Sequence, residues 1–240
     1  MTLLEHLAEL RRRLIICAIA VSLGAVVGWL AYNHVLHFMQ HPYCETLKHH
    51  PSFKGANGCN FVITNPLEGV TTRIKVSGYF GLTLALPIVL FQFWRFVTPG
   101  LHAKEKKYVL PFVLTSMLLF ALGAAVAVLT WPQALNFLIG VSGQGVSTFF
   151  SPSKYIGLYT LVIIAFGLSF EFPVILVFLE LVGVLNSAKL LSWWRYAVVL
   201  IFIAAAVITP SQDPYSLFGM ALPMCLFYFL AIGIGKLLKK

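Results

Sequence analysis

Six long apolar runs succeed one another along this chain, at 14–38, 76–94, 108–139, 156–185, 196–209 and 217–235. A helix needs about 20 apolar residues to cross the hydrocarbon core of a bilayer. Backbone in lipid must also satisfy its own hydrogen bonds, which leaves helices as the spanning structure for runs of this kind. The chain therefore reads as an all-α polytopic membrane protein, one integral domain over 1–240 with six transmembrane helices. The fifth run, Tyr196–Thr209, is only 14 residues long. It either thins the bilayer locally or pairs with a neighbour, and the turn "TPSQDPYS" after it is expected to dip below the membrane surface.

Composition excludes the soluble alternatives. Charged residues make up 10% of the chain and hydrophobic ones 59%, where a soluble domain carries about 25% charge. The net charge of +9 does not imply nucleic acid, because the basic residues lie in short connections, where they set topology. With the N-terminus inside, Arg11, Arg12, Arg13, Arg95, Lys104, Lys106, Lys107, Lys189, Arg195, Lys236, Lys239 and Lys240 fall on the cytoplasmic side. Lys48, Lys54, Arg73, Lys75 and Lys154 fall opposite. That asymmetry places both termini in the cytoplasm. The acidic "EHLAEL" precedes the first run and no small-residue cleavage site ends it, so no cleavable leader is expected.

The first outer loop, 39–70, is polar and needs something to tie it down. It holds Cys44 and Cys59, fifteen positions apart on the side where disulfides persist. Their pairing would stabilise the loop by about 3 kcal/mol in the chain-entropy picture. His34, His37 and His41 share a helix face at the end of the first run. They read as interfacial rings rather than a metal site, because no carboxylate partner is fixed by the spacing. Pro87, Pro173 and Pro223 lie inside the second, fourth and sixth runs. Each frees a carbonyl and bends its helix, which suggests a concave, cup-like arrangement. No HExxH, GxSxG or phosphate-binding glycine loop is present, so neither an enzyme nor a cofactor is expected.

The acidic residues carry the functional signal. Glu5 and Glu9 lie four apart on the amphipathic "LLEHLAELRRRL", on one helical face, and Glu105 stands among lysines in "HAKEKKY". Surface carboxylates usually contribute weak ion pairs. The alternative is a carboxylate pair that grips a cationic ligand, with arginine bound bidentately. Glu171 poses a different question. It sits inside "VIIAFGLSFEFPVILVFL", where a charge costs about 2.5–3.5 kcal/mol on insertion scales. A proton-coupled secondary transporter using Glu171 is one reading. It calls for further deep ionisable groups and broken helices in inverted halves, whereas Glu171 alone reads as deep and the prolines lie in three parallel helices.

Four segments, "EHLAELRRRL", "LALPIVLFQFWRFVTPGLHAKEKK", "AFGLSFEFP" and "ITPSQDPYS…ALPM", resemble the TatC family of the twin-arginine protein translocase, in order and across essentially the whole chain. The resemblance implies a receptor and translocase core that recognises paired-arginine signal peptides. Such a core exports folded proteins across the bacterial cytoplasmic membrane on the proton-motive force, with TatA/TatB-type single-span subunits as partners and with self-association in the receptor complex. It implies that Glu9 and Glu105 contact the two arginines, with Arg11 and Phe96 linked to the same site. Glu171 matches the family's membrane-embedded glutamate, read here with Asp213 as a polar docking point for a partner or signal helix. This sequence departs from the family at Tyr228, where many members carry a glutamate, and its turn around Asp213 is one residue longer than the commoner form.

Overall fold

The computed structural model describes residues 3–49, 61–63, 65–97, 109–141 and 151–237. Every regular element among them is a helix: α1 (Leu3–Leu30), α2 (Tyr32–His49), α3 (Glu68–Val97), α4 (Val109–Val141), α5 (Pro152–Ser169), α6 (Phe172–Leu181), α7 (Ser187–Ser192), α8 (Trp194–Ile208) and α9 (Pro214–Leu237). Five stretches are long and apolar enough to cross a membrane: α1, α3, α4, the α5–α6 pair and α9. The shorter apolar helix is α8, whose 15 residues extend about 22 Å at the α-helical rise. The described helices fall into two compact units.

The first unit is built on a seam between α1 and α3. A side chain on Gly24 would strike the Gly81 carbonyl oxygen at 2.7 Å, and one on Gly28 would strike the Ser77 carbonyl oxygen at 2.8 Å. One on Gly81 would in turn meet the Val21 carbonyl oxygen at 2.7 Å. Gly24 and Gly28 are one turn apart, as are Ser77 and Gly81. Small residues at that spacing let two membrane helices touch backbone to backbone. Above the seam, the Arg73 guanidinium lies 4.4 Å from the Trp29 ring and 5.2 Å from the Tyr32 ring. Near the opposite end, buried Trp94 on α3 donates from Nε1 to Ser116 Oγ of α4 at 2.7 Å and stacks on Phe112. A buried indole N–H without such an acceptor would be costly.

The first run differs from its sequence reading at its C-terminal end. The chain leaves α1 through Ala31 alone, with Val35 N–H donating to Ala31 O, and continues as α2 to His49. Residues 39–49, expected as loop, are therefore helical. Met39, Tyr43 and Leu47 recur every fourth residue and are all buried, which gives this polar segment one apolar face. Thr46 donates to the carbonyl of Pro42, and Tyr155 OH donates to Met39 O at 3.2 Å.

In the second unit the fourth span breaks where Glu171 lies. α5 ends at Ser169 and α6 begins at Phe172, with Pro173 in its first turn. Proline is tolerated there because those N–H groups have no intrahelical acceptor. α3 and α9, by contrast, continue through Pro87 and Pro223 as single helices. Trp131 packs on Tyr159 with ring centroids 5.1 Å apart, both fully buried. α6 ends on Gly183 at φ +80, the left-handed position that glycine adopts without strain. α8 lies against α9 through Phe202 on Phe218 and Trp194 near Phe229.

Candidate functional site

The part of the α1–α3 seam near the start of α1 and the end of α3 gathers polar groups that the apolar seam itself does not need. Arg13, on α1, donates from Nε to Glu9 Oε1 at 3.2 Å and from Nη2 to the same oxygen. Its Nη1 donates across to Gln92 Oε1 of α3 at 3.1 Å. The arginine side chain is 12% exposed and the glutamate 24%, so the pair is half sunk in the seam yet open to solvent. The His6 ring stacks on Phe96 with centroids 4.4 Å apart and planes 24° from parallel. One carboxylate, one guanidinium, one amide and a stacked ring pair thus sit together, contributed by two helices. The guanidinium is held as a planar cation with a carboxylate on one edge and an amide oxygen on another, which suits its fork of donors.

Of the residues read from sequence for this site, the structure brings Glu9 and Phe96 onto the same seam. Arg11 is not part of that cluster: it is exposed and borders a shallow apolar groove with Leu7, Leu10, Leu14, Ile15 and Ala18. The reason is geometric, since residues two apart on a helix point about 200° apart while residues four apart are neighbours. Arg13, at the four-residue spacing, is the arginine that reaches Glu9. Glu105 lies outside the described residues. Arg13 was legible only through its four-residue spacing from Glu9; its link to Gln92 spans 79 positions and leaves no local trace.

The remaining acidic residues behave differently. Glu171, at the α5–α6 break, is 7% exposed and does not cap α6 with its side chain. Its carboxylate is buried within this chain. Asp213 is buried as the cap of α9, accepting from Ser216 N at 2.7 Å and from Ser211 Oγ at 2.5 Å. Both its oxygens are used inside its own turn, and its geometry is that of a helix cap. The sequence reading passed over Glu180, which is 2% exposed. Neither of its oxygens has a hydrogen-bond partner, and its carboxylate and the Ser187 hydroxyl both lie against Gly235. Nearby, Tyr228 donates from its hydroxyl to Leu190 O at 2.7 Å. Cys44 is disulfide-bonded and Cys17 and Cys225 are free; Cys59 lies outside the described residues. Among the described residues no group of three His, Cys, Asp or Glu is placed to hold a metal ion.

Comparison with known proteins decides what this seam belongs to. The profile of the family described as Sec-independent protein translocase protein (TatC) matches residues 5–223. The chain belongs to the TatC family. A TatC protein of Frankia casuarinae is 38% identical over 240 residues, covering 99% of this chain and 66% of that relative. One from Aquifex aeolicus is 36% identical over 99% of this chain and 95% of its own length. A crystal structure of a twin arginine translocase receptor, TatC, superposes with a TM-score of 0.75 at 34% identity, over 98% of this chain and 100% of that one. This is a multi-pass membrane component of a protein translocase, and the family assignment leaves the proton-coupled transporter without support.

Proposed function

We propose that this chain is the signal-peptide receptor and core of a twin-arginine translocase in the bacterial cytoplasmic membrane, with both termini cytoplasmic. It passes folded precursors on with TatA/TatB-type single-span partners, using the proton-motive force. In this reading Glu9 and Glu105 receive the two signal arginines, and Phe96 lines the same seam. One observation carries it: the Glu9 carboxylate already holds a guanidinium, that of Arg13, at a half-open position on the α1–α3 seam. A site that binds one arginine fork has the charge and planarity to bind another. The basic residues near the inner ends of the spans support the orientation. We further propose that Cys44 pairs with Cys59, and that Glu171 meets a partner or signal helix once its surroundings open.

The experiment is crosslinking of the membrane-embedded chain to a signal peptide carrying Arg-Arg and to the same peptide carrying Lys-Lys. The Arg-Arg peptide is expected to crosslink more strongly, and Glu9→Ala combined with Glu105→Ala is expected to remove the difference. Unchanged Arg-Arg selectivity in the double variant would sink the receptor reading. For the intramembrane carboxylate, Glu171→Gln is expected to impair export mildly and Glu171→Leu more; normal export by the leucine variant removes its functional role.

A further inference from the structure

The Glu9 carboxylate has two oxygens and about four lone-pair positions. Arg13 directs both of its contacts with Glu9, from Nε and from Nη2, at Oε1. An oxygen that accepts two such hydrogen bonds has both lone pairs committed. An incoming guanidinium seeks the parallel two-oxygen arrangement that makes arginine–carboxylate pairs strong. It meets only one oxygen ready to accept. A single ammonium, needing one contact, meets no such obstacle.

We infer that Arg13 is an internal placeholder: its guanidinium occupies the signal-arginine position at Glu9 and is displaced when a signal peptide docks. This rests on the receptor reading given above and adds to it a residue that sets the affinity of the site. Gln92 is what distinguishes the arrangement from an ordinary pair along one helix. Its Oε1 accepts from Arg13 Nη1 at 3.1 Å from the neighbouring helix, so the arginine retains an acceptor after it leaves Glu9. Displacement therefore need not strand a cation at a seam where Arg13 is 12% exposed. The placeholder keeps the carboxylate neutralised in the resting protein, and only a ligand that forms a better fork gains from replacing it.

The inference separates from two simpler roles by the sign of one measurement. If Arg13 merely orients Glu9, removing it weakens the ligand. If Arg13 only adds positive charge to the surface, any nearby arginine does the same. The test uses the full-length chain in lipid nanodiscs with fluorescent signal peptides carrying Arg-Arg or Lys-Lys. Arg13→Gln is expected to tighten the Arg-Arg peptide about two- to fivefold, the range of half-exposed ion pairs, and the Lys-Lys peptide by less. Arg13→Lys, which keeps the charge and loses the fork, is expected to fall between wild type and Arg13→Gln, and it remains informative if the glutamine variant folds poorly. Arg12→Gln is the charge control, because Arg12 is exposed on the same turn; it is expected to tighten neither peptide, or both equally and by less than Arg13→Gln.

Weaker or unchanged Arg-Arg binding by Arg13→Gln overturns the placeholder, and so does an equal gain from Arg12→Gln. The two readings fail separately. A wild-type chain with no preference for Arg-Arg over Lys-Lys removes the receptor assignment itself. A preserved preference with no gain in Arg13→Gln removes the placeholder alone.

Discussion

Glu9 on α1 and Glu180 near the end of α6 carry the same carboxylate in opposite surroundings. Glu9 is 24% exposed and holds a guanidinium; Glu180 is 2% exposed and neither of its oxygens accepts a hydrogen bond. A half-open ion pair in contact with water is weak and exchangeable, which is what a site that must accept and release a ligand requires. A buried carboxyl group without donors is an expense to the fold. The comparison separates an acidic group whose partner can change from one that weighs on the unit that holds it.

The largest expected effect tests whether the Glu9 side depends on the seam beneath it. In Gly81→Val the new side chain meets the Val21 carbonyl oxygen at 2.7 Å and the backbone of Ala25. Overpacking of this kind destabilises by about 1–3 kcal/mol, and with backbone on both sides the upper end is expected. Thermal unfolding in detergent should fall together with signal-peptide binding. A variant that melts lower yet binds normally would uncouple site from seam.

Next comes the converse test at Glu180. Glu180→Leu removes two unsatisfied oxygens from a buried position, and the fold is expected to be unchanged or more stable by about 2 kcal/mol. A clear loss of thermal stability would mean that Glu180 is held by an interaction its geometry does not display. Glu9→Ala sharpens the contrast from the other side: about a tenfold loss of Arg-Arg peptide affinity is expected, with the melting midpoint unchanged. The smallest effect belongs to Tyr228→Phe, which removes one of the two donors to Leu190 O and leaves the Trp193 N–H as the other. A cost of about 1 kcal/mol in unfolding is expected, with export unaffected.

The spans were legible in the sequence because length and apolarity are what a bilayer demands of a helix, and 14–38, 76–94 and 217–235 fall on helices α1–α2, α3 and α9. What lay hidden has identifiable causes. Residues 39–49 looked like loop because Pro42, histidines and a lysine dominate them, while the apolar stripe Met39, Tyr43, Leu47 is only one side chain wide. Glu180 escaped notice because it lies close to the end of the fourth run, 156–185, and a carboxylate near a span end ordinarily reaches water. Pro173 marked the helix break correctly, yet Pro87 and Pro223 did not interrupt theirs. Membrane helices re-satisfy the freed carbonyl locally. At the site, the four-residue spacing on α1 sets Arg13 beside Glu9 and turns Arg11 to another face. The Gly24–Gly28 spacing that builds the seam was in plain view as two glycines one turn apart. What it lacked was any sign of the Ser77–Gly81 pair it would meet.

The glycine seam also acts as a gauge. Glu9 and Arg13 ride on α1, and Gln92 and Phe96 ride on α3. The clearance between the two helices is set at Gly24 and Gly81, where backbone meets backbone with no compressible side chain between. From Gly24 back to Glu9 is about 22 Å along α1 at the helical rise. The width of the gap between Glu9 and Gln92 is thus machined at a distance, by the thickness of two bare polypeptide backbones.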